Sequence, residues 1–247
     1  MKPAVSVIMP LYNSSEFMDE SIRSVLDQSF PDLELILVDD CSSDDSLSRA
    51  MSFAKEDQRV RVEALPENVG GGLSRNAGIS AASGRYIAFL DSDDIWQKEK
   101  LAVQLSQMRE KNAVFSYTDY AVFGREGEKK TRTTPEKLNY WELLRNTAIG
   151  CSTVIYDAER IGKKYFPKIR KRQDFGLWLS ILRDVDYAYR CGPALTRYRV
   201  RQGSVSSNKL VAITYTWKIY REVEGLSLLT SAYCFSSYIV FALLKRW

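Results

Sequence analysis

Four short apolar runs, separated by helical patterns, govern what the first ninety residues can fold into. They are "AVSVIM" (4–9), "LELILV" (33–38), "RVRVEAL" (59–65) and "RYIAFL" (85–90). Short length and turn-forming flanks predict strands, the first of them stopped by Pro10. Between the first two, Glu16 to Gln28 places Phe17, Ile22, Val25 and Leu26 on one side of a helix. A second helix grows from 41–56, with capping oxygens on Ser42, Ser43 and Asp44 and a stripe of Leu47, Ala50, Met51 and Ala54. A glycine-rich turn at 70–72 leads a third helix to about Ala82. Strands alternating with helices predict an α/β fold, with a mostly parallel sheet flanked by helices. Ligands of such sheets bind beyond the carboxyl ends of the strands. Tyr12–Asn13, Asp39–Asp40 and Asp91–Asp94 therefore share one edge.

The second half is less regular. Residues 113–123, "AVFSYTDYAVF", read as a strand, and 124–137, "GREGEKKTRTTPEK", as a polar turn or mobile loop. Helices are expected over 138–145 and 174–183, the latter with Leu177, Trp178, Ile181 and Leu182 inward. From 226 to 244, "LSLLTSAYCFSSYIVFALL" carries no charge and is followed by Lys245, Arg246 and Trp247. Its serines, threonine and tyrosines dilute it, so a helix lying at a membrane interface is favoured over a span. With no internal repeat and no linker, one α/β domain over 1–206 is expected, divided near 110 into a Rossmann-like first half and a less regular second half. A membrane-associated helical extension over 207–247 follows it.

The chain of 247 residues contains no histidine. Ser-His-Asp and Cys-His catalysis, histidine-ligated zinc and imidazole proton shuttling are thereby excluded. Acid–base work falls to carboxylates, and any metal must accept oxygen ligands. Four dispersed cysteines without a C-x-x-C pair speak for reduced thiols. The N-terminus lacks a signal-peptide pattern, which places the expected catalytic body in the cytoplasm. A net charge of +4 is modest, but Lys163, Lys164, Lys168, Arg170, Lys171 and Arg172 crowd together. Such a cluster suits phosphates or an anionic membrane surface rather than nucleic acid.

Asp91, Asp93 and Asp94 end the fourth strand, and Asp39 and Asp40 end a neighbour. Aspartates are common turn formers. Here, though, D-x-D aims two carboxylates the same way, an arrangement that a cation relieves. Mg²⁺ and Mn²⁺ fit, since they take one or two carboxylates and complete their shell with substrate phosphates. The glycine turn followed by a helix start favours an anion, but it is neither G-x-G-x-x-G nor a Walker motif.

"SVIMPLYN" (6–13), "LILVDDCSSDDS" (35–46), "ENVGGGLSRNAGI" (67–79) and "IAFLDSDDIW" (87–96) occur in the order and spacing of family 2 glycosyltransferases. The resemblance covers the first hundred residues closely and continues more loosely to Arg201. It implies a GT-A-type fold, a UDP-sugar donor, Mn²⁺ or Mg²⁺, and inversion at the anomeric carbon. By the same resemblance, Pro10, Tyr12 and Asn13 belong to the uridine pocket. Asp39 accepts the uracil N3–H, with Asp40 or Ser42 nearby, and Asn68 and Arg75 lie against the nucleotide and its diphosphate. Asp91 faces the ribose, and Asp93 is the direct metal ligand within the Asp91–Ser92–Asp93 motif. Asp94 shapes the donor-sugar site.

Inverting transfer is one displacement and needs one base, so a further carboxylate distant in sequence from the metal group is required. In "KRQDFGLWLSIL" (171–182), Asp174 opens an amphipathic helix. The family usually has Glu-Asp there, whereas this chain has Gln173–Asp174, so the presumed base remains and the first acid is absent. "YRVRQGSVS" (198–206) resembles a segment in which Arg199, Arg201 and Ser204 would approach phosphates of donor or acceptor. The whole resembles short bacterial β-glycosyltransferases of O-antigen, capsule and teichuronic acid synthesis. That implies a polyprenyl-diphosphate-linked saccharide acceptor at the cytoplasmic face of the inner membrane and UDP-glucose or UDP-galactose as donor. A homo-oligomer stays open. A sugar-nucleotide-forming nucleotidyltransferase and a non-catalytic nucleotide-sugar-binding protein are the competing classes. The first lacks its basic glycine loop after the first strand, and the intact acids disfavour the second.

Overall fold

The computed structural model describes residues 2–124, 127–200 and 209–244. β1 (Val5–Leu11), α1 (Met18–Leu26), β2 (Leu33–Asp39), α2 (Ser46–Glu56), β3 (Val60–Ala64), α3 (Gly71–Ala81) and β4 (Tyr86–Phe89) form the alternating first half. β5 (Ile95–Trp96), α4 (Lys100–Glu110), β6 (Phe115–Gly124), β7 (Gly127–Arg132), β8 (Lys137–Leu138) and α5 (Tyr140–Arg145) follow. Next come β9 (Ile155–Asp157), α6 (Ala158–Ile161), α7 (Gln173–Leu182), β10 (Ala188–Arg199), α8 (Lys209–Lys218) and α9 (Leu228–Leu244).

All ten strands join one sheet, in the order β3-β2-β1-β4-β9-β6-β10-β5, with β7 on β6 and β8 on β10. The β3-β2-β1-β4 half is parallel, with β1 and β2 in register from Val5↔Leu33 to Leu11↔Asp39. β9 inserts antiparallel between β4 and β6, and β6 and β10 are again parallel. Alternate side chains feed two cores on opposite faces of the sheet. Ile8, Ile36, Val38, Ile87 and Phe89 pack with α3, α5 and α7. Val7, Met9, Leu35, Leu37 and Ala88 pack with α1, α2 and α4. Trp178 of α7 lies at the centre of the first core, 5.9 Å from Phe89 and 5.5 Å from Phe115 between ring centroids.

β1 continues through Pro10 rather than stopping there. The Leu90 amide donates to the Ile8 carbonyl, so Ile8 and Pro10 both face β4. The β1–β4 pairing ends at Ile8↔Phe89, leaving no ladder bond for proline to donate. The polar stretch after Gly124 is not a loop, because its residues 127–132 form β7 against β6. α4, β9 and β10 have no counterpart among the sequence expectations. α5 starts at Tyr140 rather than 138, where Asn139 and Glu142 form a reciprocal capping box.

α3 approaches the sheet closely because Gly78 has no side chain: a Cβ there would lie 2.5 Å from Ile8 Cγ2 and 3.1 Å from Val38 Cγ2. Overpacking a fixed core typically costs about 1–3 kcal/mol. Gly78→Ala is therefore expected to lower the urea midpoint by a corresponding amount, and an unmoved midpoint would contradict this packing.

The C-terminal helices dock on the body. A π-helical turn, Ile219–Val223, joins α8 to the approach of α9. Just beyond it, the wholly buried Glu224 side chain accepts from Tyr140 Oη at 2.6 Å and pairs with Arg183 at 2.7 Å. Cys234 and Tyr238 of α9 are buried, whereas Leu228, Tyr233, Val240, Phe241 and Leu229 (84% accessible) face outward. Among the described residues, no helix is long and apolar enough to cross a membrane.

Candidate active site

The carboxyl ends of β1, β2 and β4 bring the expected residues to one edge. After β1, Asn13 adopts φ 47° and ties this turn to the segment after β2. Its amide donates to Ser42 Oγ (3.1 Å), and its Oδ1 accepts from the Ser43 amide (2.9 Å). Tyr12 is 53% exposed beside them. Asp39, at the end of β2, is 1% exposed. Its Oδ2 accepts from the Ser42 amide at 3.0 Å, while its Oδ1 is buried with no hydrogen-bond partner. Leaving such an acceptor unsatisfied costs about 1–3 kcal/mol, so Asp39 Oδ1 is suited to a ligand donor.

Asp40 serves the protein rather than an open pocket. Its two oxygens accept from the amides of Val69 and Gly70, each at 2.8 Å, and its carbonyl accepts from Asn68 Nδ2 at 3.1 Å. Asp40 and Asn68 thus fix the glycine segment, whose turn residue is Gly70 (φ 85°), with Gly71 and Gly72 already in α3. Gly72 lies under Gln173, and a Cβ there would sit 2.6 Å from Gln173 Cδ. A cavity of about 320 Å³ opens at this junction, lined by Asn68, Gly70, Leu73, Lys168, Arg170 and Gln173 among others.

The four residues after β4 and Leu90 point different ways. Asp91 forms an ion pair with the largely buried Arg75, which stacks 5.5 Å from the Phe166 ring centroid. Burial works against the guanidinium charge, but Asp91, then Cys151 and, further off, Asp174 hold its pKa above the ordinary arginine value. Ser92 Oγ shares a hydrogen bond with Ser14 Oγ at 2.8 Å. Asp93 is half-buried, and its carbonyl accepts from Arg199 Nε at 2.8 Å. Asp94 is fully buried, accepting from Ser152 Oγ (2.6 Å) and the Arg199 amide (2.9 Å). Burial, then the charge of Asp91, with Asp93 adding to it, pushes the Asp94 carboxyl well above its usual range; the two hydrogen bonds act the other way.

Sequence reasoning missed Ser152. It lies in a single 3₁₀ turn, Cys151–Thr153, a context without periodicity. Its Oγ accepts from the Asp91 amide (3.1 Å) as well as donating to Asp94, and its carbonyl accepts from Trp96 Nε1 (2.7 Å). One side chain therefore sets the shape of the acidic turn. Ser152→Ala orphans a buried Asp94 oxygen, a loss of about 1–3 kcal/mol. The variant is expected to melt lower; unchanged melting would refute that bond.

Asp174 occupies the first turn of α7. Its charge acts on both Arg75 and Cys151, as does that of Asp91, so the two carboxylates share a neighbourhood. Burial pushes the Cys151 thiol well up; Arg75 opposes the rise, and Asp91, Asp174 and Asp94 add to it. Arg199 braces the acidic turn instead of standing open to phosphate. Its guanidinium pairs with Glu20 and lies 4.6 Å from the Phe17 ring centroid and 4.4 Å from that of Phe123. Arg201 and Ser204 lie outside the described residues.

Among the described residues, no group of three or more histidine, cysteine or acidic side chains forms a metal cage. The donor set at the acidic turn is all oxygen, with Asp93 half-buried and Asp91 partly engaged by Arg75. That fits a hard divalent ion, which needs only one or two carboxylates when substrate phosphates complete its shell. It does not fit a closed structural site.

A parallel half-sheet with an acidic turn beyond its fourth strand, joined to a mixed second half, defines a GT-A-type glycosyltransferase fold. S. aureus TarS 1-349, in its complex with UDP-GlcNAc, has that fold, superposing with a TM-score of 0.70 over 97% of this chain and 72% of its own, at 21% identity. The description "Glycosyl transferase family 2" matches residues 6–165, and the chain belongs to that family. It is 44% identical over 247 residues (99% of this chain, 98% of the relative) to TuaG of Bacillus subtilis, which carries the name of a teichuronic acid biosynthesis glycosyltransferase. It is 38% identical to WfgD of Escherichia coli, over 98% of this chain and 94% of the relative. WfgD is named a UDP-Glc:alpha-D-GlcNAc-diphosphoundecaprenol beta-1,3-glucosyltransferase.

Proposed function

We propose that this glycosyltransferase is an inverting enzyme that moves a hexose from a UDP-sugar onto a polyprenyl-diphosphate-linked saccharide in bacterial surface polysaccharide synthesis. The observation that carries the donor is the unpartnered, buried Asp39 Oδ1 beside Tyr12 and Asn13. An acceptor in that position is matched by the uracil N3–H, and a cytosine ring offers no hydrogen there. UDP-glucose is favoured because WfgD, alike over nearly its whole length, bears that donor in its name.

In this reading, Asp39 and the Asn13 turn hold the uridine, and the glycine segment fixed by Asp40 faces the ribose and phosphates. Asp93, with Asp91 beside it, would hold Mn²⁺ or Mg²⁺, which when bound supplies Lewis-acid neutralisation of the departing diphosphate. Arg75, largely buried and paired with Asp91, keeps that carboxylate in place. Asp174 accepts the proton of the acceptor hydroxyl as its oxygen bonds to the anomeric carbon and the bond to UDP breaks on the opposite side. The proton ends on Asp174 and the electron pair on UDP.

The outer side of α9 gives the acceptor a setting. Leu228, Leu229, Tyr233, Val240 and Phe241 face outward, and Lys163, Lys168 and Arg170 are exposed on the segment before α7. Apolar contact combined with basic charge suits an anionic bilayer surface on which the helix lies. The deciding experiment supplies a panel of UDP-sugars with Mn²⁺ or Mg²⁺ and a synthetic GlcNAc-diphosphate-lipid, and follows UDP release and product anomer. Release of UDP with a β-linked product from an α-linked donor supports the reading. Retention of configuration, or transfer undiminished by EDTA, would defeat the inverting or the metal-dependent part respectively.

A further inference from the structure

We propose that Tyr238, on the C-terminal helix α9, is a positioning residue for sugar transfer, acting through Arg172 immediately before α7. The proposal rests on the reading of Asp174 as the base. Arg172 is the N-cap of α7 and holds a left-handed backbone (φ 61°, ψ 25°), a conformation rare for a side chain with a Cβ. It makes no side-chain cap bond to the helix. Its guanidinium instead reaches across to α9, where Nη2 donates to Tyr238 Oη at 2.6 Å and Cζ lies 5.7 Å from the ring centroid. Tyr238 is 7% exposed, so water competes little for this bond.

Three successive residues then face three different parts of the site. Arg172 is held by the tail, Gln173 covers Gly72 at the start of α3, and Asp174 shares the surroundings of Arg75 and Asp91. Gln173 and Asp174 are the first two residues of the helix that Arg172 precedes, so the left-handed turn at Arg172 sets the direction in which they leave it. α9 is anchored elsewhere as well, by buried Cys234 and by Phe235 against Trp217 at 5.3 Å. The Tyr238 hydroxyl is thus a fixed point against which Arg172 is registered. The same helix presents its apolar side outward, so whatever α9 rests upon is mechanically joined to the base.

The test compares Tyr238→Phe and Arg172→Lys with the intact protein and with Asp174→Asn, measuring single-turnover rate, donor KM and melting temperature. Tyr238→Phe keeps the ring and its packing and removes only the hydroxyl. A small displacement of a catalytic group can cost up to about 100-fold. The expected result is a fall of about 10- to 100-fold in the single-turnover rate with donor KM unchanged, and a lower melting temperature from the lost buried hydrogen bond, which leaves the protein folded at the assay temperature. Arg172→Lys should fall alike, the double variant no further, and Tyr238→Phe should add nothing in the Asp174→Asn background. An unaltered rate in both single variants, or an equal fold-loss with Asp174 already replaced, would overturn the proposal. If Asp174→Asn itself turned over normally, the base assignment would fail. Normal turnover of Tyr238→Phe beside an inactive Asp174→Asn would sink the positioning role alone.

Discussion

Asp174→Asn is expected to lower the turnover number about 10²- to 10⁴-fold, the range that a positioned general base contributes. Asparagine preserves the size of the side chain at this first-turn position of α7 but cannot take a proton at physiological pH. The proposed donor site, at the ends of β1 and β2, the glycine segment and the acidic turn, does not include it. UDP affinity measured by calorimetry should therefore be retained while product formation collapses. A large loss of UDP affinity would mean that Asp174 contacts donor, and full turnover would mean that the proton goes elsewhere. The two readouts separate the roles because a loss confined to the chemical step marks an interaction made only in the transition state.

Asp93→Ala is expected to cost about 10²- to 10³-fold in turnover, the scale of removing one preorganised electrostatic partner of a developing charge. Affinity for Mn²⁺ in the presence of UDP should fall in parallel, which can be followed by electron paramagnetic resonance without any turnover. Stability should behave differently. Asp93 is half-buried, and its negative charge is one of the influences raising the buried Asp94 carboxyl. Removing a repulsive neighbour relieves Asp94, so the metal-free variant should lose less in melting temperature than Asp94→Ala. Asp94→Ala makes the instructive contrast, since it strips partners from Ser152 and the Arg199 amide and should destabilise outright. Equal destabilisation by both substitutions would refute this division of labour within the turn.

The parts of the fold legible in sequence are those with a buried face and a regular period. β1, β2 and β4 are largely apolar and almost wholly buried because helices cover both sides of a parallel sheet, and the intervening helices show their stripes. β7 was hidden because all six of its residues, "GEKKTR", are polar or glycine and mostly exposed, so no alternation exists to read. β10 was hidden differently: Gly192-Pro193 reads as a break, whereas it is a bulge where the register with β6 shifts between Arg190 and Ala194. β9, three residues long, falls below any periodic signal.

For the site, a chain that places ligands beyond strand ends makes Asp39 and Asp91–Asp94 visible as acids after apolar runs. What the sequence did not reveal is which acid each neighbour would occupy. Asp40 is consumed by two loop amides and Asp94 by Ser152 and a backbone amide, and both pairings span long stretches of chain. Arg199 was expected, by resemblance, to approach phosphates of donor or acceptor, and its commitment to Glu20 and the Asp93 carbonyl was not legible.

The buried Glu224 clasp bears on how this protein can be handled in detergent-free solution. Trimming the chain ahead of that residue would strand Tyr140 and Arg183 and uncover the inner core beneath α5, so a shortened form would be crippled for reasons unrelated to lipid. The proposed membrane contact is better probed by exchanging Leu229, Tyr233 and Val240 on the exterior of the last helix for hydrophilic side chains while its inward residues stay untouched.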